Sequence, residues 1–295
     1  MEEELSIAAD YWSRPPITSK RRWWQSPTIL QHINQVVCGE PLDAPWAGFA
    51  QRIREYGPSK LERGISIGCG EGIKEIYLVR DGIVESFDLF EISLKRADGG
   101  RKVAEQHGLS DRVKFHVCDA FEARLDPYDF VYWNNALHHM LDVEQAIRWS
   151  YAHLMPGGLF AMDDFVGASR FQWADAELDI AERVRRLLGP RYLRNPMDPS
   201  LTLPLRPSRP TVECMISADP TEAADSARIL PAIKKIFPNA EITLTGGCIY
   251  HLALNDVIAN FTEIEDKALL QSLLLADEAF AKSGLTQYAV ALATR

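Results

Sequence analysis

An α/β fold built on a doubly wound parallel sheet is what this sequence predicts, and three observations predict it. The first is Gly64-Ile65-Ser66-Ile67-Gly68-Cys69-Gly70-Glu71-Gly72, an apolar alternation running into glycines at every second position. It reads as a buried strand, a glycine turn and a helix start, because glycine tolerates positive φ and its missing Cβ lets a ligand lie close to the backbone. The second is the repeat of strand and helix patterns from about residue 61 to 165, the spacing of parallel strands joined by crossover helices. The third is that the chemically useful polar residues fall mostly at the carboxyl ends of those strands, where such sheets bind ligands.

The chain has 295 residues, 46% of them hydrophobic, enough for one sizeable core carrying added elements. A net charge of -9 argues against a polyanion-binding surface, so nucleic acid is not the expected partner. Cys38, Cys69, Cys118, Cys214 and Cys248 are scattered without metal or redox spacing and read as reduced thiols. The start, Met1-Glu2-Glu3-Glu4, lacks the basic beginning and apolar core of a signal peptide, and no apolar run is long enough to span a bilayer. A cytoplasmic chain without a membrane partner is therefore expected, with homo-oligomerisation left open.

Residues 1–60 read as a helical flank or lid, aromatic at Tyr11, Trp12, Trp23 and Trp24 around the basic Lys20-Arg21-Arg22. Ser26-Pro27 is an N-cap followed by a first-turn proline, and Gly39 closes that helix. A shorter helix follows, with Trp46, Phe49 and Ile53 on one face. After the glycine turn, Ile73, Ile76 and Tyr77 make a helical stripe and Ile83 to Leu89 a second strand. Glu91, just past that strand and about 20 residues beyond the turn, stands where nucleotide-binding sheets place a carboxylate for ribose hydroxyls. Asp88 is its rival for the role.

Ser93 caps the next helix, which Gly99-Gly100 weakens for no reason visible in the sequence. Val113, Phe115 and Val117 form a third strand ending at Asp119-Ala120. A fourth, Asp129 to Trp133, delivers Asn134-Asn135-Ala136-Leu137-His138-His139. Asp142 and Gln145 have the spacing of a capping box, and Pro156-Gly157-Gly158 turns into a fifth strand ending at Asp163-Asp164-Phe165.

Taken in order and spacing, Gly64 to Gly72, Glu91-Ile92-Ser93, Asp119-Ala120, Ala136-Leu137-His138-His139 and Pro156-Gly157-Gly158 resemble the class I S-adenosylmethionine-dependent methyltransferases of small-molecule type. The match covers about residues 60 to 165. The resemblance implies a Rossmann-like seven-stranded sheet with its last strand antiparallel and S-adenosyl-L-methionine across the carboxyl edge. It implies that Gly68, Cys69, Gly70 and Gly72 carry the methionine portion. Glu91 with Ile92 would take the ribose, Asp119 with Ala120 the adenine, and Asn134 or Asn135 the sulfonium or amino-acid end.

The second half elaborates one domain, residues 61–295, with insertions expected at about 166–218 and 251–284. Gln172 to Leu188 reads as a helix, followed by a proline-rich loop carrying Arg191, Arg194, Arg206 and Arg209, either a solvated basic loop or a seat for an anionic acceptor. Asp219-Pro220-Thr221-Glu222 reads as a capped helix start running past Pro231 with a kink. Glu241 to Leu244 and Gln287 to Leu292 read as the last two strands, and Thr262 with Glu265 as the cap of the helix between them.

Methyl transfer from a sulfonium consumes positive charge, so alignment does most of the work and a base removes the acceptor's proton. His139, His138 and His251 are the candidate bases, histidine having a pKa near working pH. No metal is expected; Asp163 and Asp164 could hold acceptor or a divalent ion, but the fourth strand offers asparagine rather than an acidic ligand. The absence of Asn-Pro-Pro-Tyr and Pro-Cys motifs leaves O- or C-methylation of a small-molecule acceptor as the expected activity. Two alternatives are a non-catalytic or repurposed S-adenosylmethionine-binding protein and an NAD-dependent oxidoreductase, whose usual Gly-x-Gly-x-x-Gly differs from the alternating glycines here.

Overall fold

The computed structural model describes residues 2–13 and 21–295, so Lys20 lies outside the described residues. Three helices precede the sheet: α1 (Glu2–Ser13), α2 (Pro27–Cys38) and α3 (Ala47–Tyr56). As its sequence requires, α2 is capped by Ser26 Oγ, which accepts from Ile29 N, and closed by Gly39 at φ 83°.

Strands and helices then alternate: β1 (Leu61–Ile67), α4 (Ile73–Arg80), β2 (Val84–Phe90), α5 (Leu94–Gln106), β3 (Val113–His116), β4 (Tyr128–Asn134), α6 (Val143–His153) and β5 (Leu154–Phe165). The chain continues through α7 (Asp175–Leu187), α8 (Val212–Ala218), α9 (Ile229–Ile236), β6 (Glu241–Gly246), α10 (Lys267–Lys282) and β7 (Tyr288–Thr294). The seven strands form one sheet in the order β3-β2-β1-β4-β5-β7-β6, with β7 antiparallel to both neighbours. This is the Rossmann-like arrangement that the resemblance implies. The order changes direction between β1 and β4, so the crevice beyond the carboxyl ends of those two strands is the expected ligand site.

Both faces of the sheet are covered, which is why the inner strands β4 and β7 are buried along nearly their whole length. Ile65, Ile67, Val131, Trp133, Phe160 and Met162 pack under Val143 and Ile147 of α6 and Ile229 and Ile233 of α9. Phe87, Leu89, Phe130 and Tyr132 pack under Phe49 and Ile53 of α3, Ile76 and Val79 of α4, and Ala97 of α5. A third cluster joins the two expected insertions, with Trp173, Leu178, Leu252, Val257 and Leu274 around Ile29 of α2.

Gly99-Gly100 now has a reason. A Cβ on Gly100 would stand 2.2 Å from Phe115 and 2.5 Å from the carbonyl oxygen of Glu71, so α5 lies directly on the glycine turn and β3. The loss of helix propensity is exchanged for that approach.

Three elements differ from expectation. Asp219 to Glu222 is not a helix start: α8 ends at Ala218, and a turn follows in which Ala223 takes φ 48°. The carboxylate that resembles a cap instead accepts from Thr221 N and Oγ1 within the turn. Helix α9 begins only at Ile229, so Pro231 sits in its first turn, where no N–H is needed, and no kink arises. Helix α10 likewise begins after Asp266 rather than at Thr262.

Three of the four arginines of the proline-rich loop, Arg191, Arg206 and Arg209, are ion-paired. Arg206 and Arg209 pair with Asp175 and Arg206 also with Asp179, while Arg191 pairs with Asp266. All five cysteines are free thiols, and among the described residues no helix is long and apolar enough to cross a membrane.

Candidate functional site

A cavity of about 740 Å³ opens beyond the carboxyl ends of β1, β2, β3 and β4. Its floor is the glycine turn. Gly68 and Gly70 take φ 64° and 60°, and a side chain at Gly70 would press on Arg96 as well as strain the backbone. Cys69 lines the cavity between them, its thiol pKa pushed well up by burial and by Glu75 and Glu91. Gly72 does not line it: a Cβ there would meet Leu89 at 2.6 Å, so this third glycine serves the packing of α4 rather than a ligand.

Glu91, Ile92, Asp119, Ala120, Asn134 and Asn135 all line the cavity. Glu91 is 5% exposed, and its two carboxylate oxygens each accept one backbone N–H, from Gly70 at 2.8 Å and Ser93 at 2.7 Å. A carboxylate has about four acceptor positions, so two remain for a diol. Asp88, its rival, does not line the cavity and is committed to His116, Arg63 and Tyr128. Asn134 Oδ1 accepts from Lys74 Nζ, which also pairs with Asp163. The donor set fits S-adenosylmethionine: a bare backbone cradle, a carboxylate for the ribose hydroxyls, and Asp119 beside the small buried Ala120 for an amino-purine.

Asp164 is fully buried and collects four donors, Ala136 N, Leu137 N, Phe165 N and His138 Nδ1 at 2.5 Å. It therefore builds the turn after β4 and is not free for acceptor or metal. Burial opposes charge on His138, but the charge and hydrogen bond of Asp164, with Glu222 and Asp219, outweigh it and hold its pKa above the ordinary value. His138 does not line the cavity.

His139 does line the cavity. Burial, reinforced by the positive His138, Arg96 and Arg170, pushes its pKa well below the ordinary value, so its imidazole is neutral near pH 7. Nδ1 lies 3.0 Å from Thr221 Oγ1. His251 is elsewhere, among Phe165, Phe171 and Tyr288, outside the cavity lining and with its pKa lowered to about 4 by burial and by Arg22.

Among the lining residues that the sequence does not single out as site residues are Trp12 and Ala8 of α1 and Thr221, which enters from the turn after α8. That turn is fixed from three sides. Arg170 donates to the carbonyls of Pro220 and Glu222, Arg170 N donates to Ala223 O, and Ala224 N donates to His138 O. The signals were an aromatic N-terminus and a motif easily taken for an N-cap.

Glu222 completes the histidine end. Its oxygens stand 3.8 Å from His138 Nε2 and 4.0 Å from His139 Nε2, and burial raises its pKa. The three ligand atoms lie within 4.8 Å of one another, a two-histidine, one-carboxylate set of the kind that takes first-row divalent ions.

Residues 40–197 match a family model described as a methyltransferase domain. The tRNA 5-carboxymethoxyuridine methyltransferase of Escherichia coli K12 is 26% identical over 163 residues, which cover 51% of this chain and 60% of the relative. Methyltransferase GfsG of Streptomyces halstedii is 28% identical over 131 residues, covering 41% of this chain and 46% of the relative. The chain thus spans 60% or less of the curated relatives it matches. Among solved structures, the geranyl diphosphate C-methyltransferase of Streptomyces coelicolor A3(2), in complex with Mg²⁺, geranyl diphosphate and S-adenosyl-L-homocysteine, superposes with a TM-score of 0.51 at 14% identity. The superposition covers 99% of this chain and 97% of that one, and shows a shared fold.

Proposed function

This chain belongs to the methyltransferase-domain family, and on that premise we propose that it methylates an oxygen or carbon of a small-molecule acceptor with His139 as general base. The observation that carries the reading is that His139 lines the same cavity as the glycine turn, Glu91 and Asp119, where burial pushes its pKa down.

The bound cofactor, S-adenosyl-L-methionine, supplies an electrophilic methyl group on a sulfonium. The residues of this chain do the rest. Gly68 and Gly70 admit the amino-acid end, Glu91 holds the ribose diol, and Asp119 with Ala120 receives the adenine. Trp12 and Ala8 close the cavity from α1, which excludes water and fixes the acceptor's approach. The acceptor's proton leaves to His139 Nε2. A base already neutral at working pH contributes about 10²–10⁴-fold to such a step.

The acceptor's size class follows from charge. Among the described residues that line the cavity, Arg96 is the one lysine or arginine, beside the acidic Glu91, Asp119, Glu122 and Asp142. That lining, with a chain net charge of -9, favours a small molecule over the tRNA that the Escherichia coli relative modifies. The test is transfer of labelled methyl from S-adenosylmethionine into cell extract separated into small-molecule, RNA and protein fractions. Label in the small-molecule fraction is expected. Label confined to RNA, or binding of cofactor with label in no fraction, overturns the reading.

A further inference from the structure

We propose that Asp219 is the positioning residue of this site: acting through Thr221 it fixes which nitrogen of His139 carries the proton, and it ties that choice to the docking of α1. The inference rests on the reading of His139 as the base and adds what makes that nitrogen a base.

Asp219 is 2% exposed, and its Oδ1 accepts from Thr221 N at 2.9 Å and Thr221 Oγ1 at 2.6 Å. A threonine hydroxyl has one proton, and here it is spent on Asp219. Toward His139 Nδ1, 3.0 Å away, Thr221 Oγ1 can therefore offer only a lone pair. The proton of the neutral imidazole must then lie on Nδ1, and the lone pair on Nε2. Asp219 does not do this directly, since its Oδ2 stands 3.9 Å from Nδ1.

The second carboxylate oxygen serves the lid. Trp12 Nε1 donates to Asp219 Oδ2 at 3.0 Å, and the Trp12 ring stands edge-on to the His139 ring, centroids 5.2 Å apart at 87°. Arg96 lies over the other part of the indole and donates to Trp12 O, which anchors α1 on α5. One buried carboxylate thus holds the helix that covers the cavity and the hydroxyl that orients the base.

Leucine at 219 keeps the approximate volume but offers Thr221 Oγ1 no acceptor. The threonine proton is then released toward His139 Nδ1, and the imidazole proton moves to Nε2, where no lone pair remains for the acceptor. Such a tautomer error behind a histidine base drops turnover by up to about 10⁴-fold with little change in geometry.

The test reads the tautomer itself. Two-bond ¹H–¹⁵N spectra of the full chain saturated with S-adenosylhomocysteine, with His139 assigned by difference against His139→Gln, should show Nδ1–H in the wild type and Nε2–H in Asp219→Leu. Thr221→Ser should keep the wild-type tautomer, so the assignment stands even if Asp219→Leu folds poorly. A wild-type Nε2–H form, or an unchanged tautomer in a folded Asp219→Leu, overturns the proposal. A switched tautomer with unchanged turnover upholds the positioning role and overturns His139 as the base.

Discussion

His139 and Thr221, 82 residues apart in the chain, meet through Nδ1 and Oγ1 at 3.0 Å. The contact joins the turn after β4, which the sheet fixes, to the turn after α8, which belongs to the elaboration. The end of the cavity with the glycine turn, Glu91 and Asp119 is thus built by the sheet, and the end with His139 by the sheet and its additions together.

The pH dependence follows from the environment of His139. Burial first, then the positive charges of His138, Arg96 and Arg170, lower its pKa well below the ordinary histidine value, while Glu222 and Asp219 face it from the other side. A base must be unprotonated, so a lowered pKa extends activity into acid. The acid limb of kcat/KM is expected well below pH 6.5, the model-compound value being about 6.5. An acid limb at or above that value would assign the base to another group.

Gly70→Val is expected to abolish cofactor binding. A valine at φ 60° is strained, and its Cβ already presses on Arg96 before the branches are added. Calorimetry with S-adenosylhomocysteine should show affinity reduced by at least about 100-fold, more than 2.7 kcal/mol. Retained affinity in a folded protein would make the turn a packing feature.

Asp164→Asn tests the buried pair with His138. Removing the charge leaves His138 without the partner that raises its pKa and disturbs the four-donor turn. Urea unfolding should show a loss on the order of 3–5 kcal/mol. A change within about 0.5 kcal/mol, the scale of an ordinary surface substitution, would mean that the turn holds itself.

Zinc should inhibit. His139 Nε2 belongs to the two-histidine, one-carboxylate set with His138 and Glu222, so an ion bound there takes the lone pair that the acceptor's proton needs. With the acceptor identified by the labelled-methyl screen, added Zn²⁺ should suppress turnover and EDTA restore it, and Glu222→Gln should blunt the effect. Activation by zinc would make these atoms ligands of a working metal.

The sheet and the cofactor half were legible because they depend on short-range pattern. Alternating apolar residues ending in Gly68, Glu91, Asp119 or Asn134 leave few other folds for the chain to take. The acceptor half was less so. His139 could be named but not distinguished from His138 or His251, because what separates them is burial and the partners Asp164 and Thr221, all set by tertiary packing. Asp219-Pro220-Thr221-Glu222 was misread for a physical reason: the same local hydrogen bonds that cap a helix also close a turn, and the left-handed Ala223 that decides between them has no sequence signal. Trp12 stood out only as one aromatic among several.

On the proposed reading His139 acts on the acceptor and not on the cofactor, and His139→Ala separates the two roles. Turnover of the identified acceptor is predicted to fall by about 10²–10⁴-fold, while affinity for S-adenosylhomocysteine stays within about threefold of wild type. Unchanged turnover, or a loss explained wholly by weaker cofactor binding, would contradict the account.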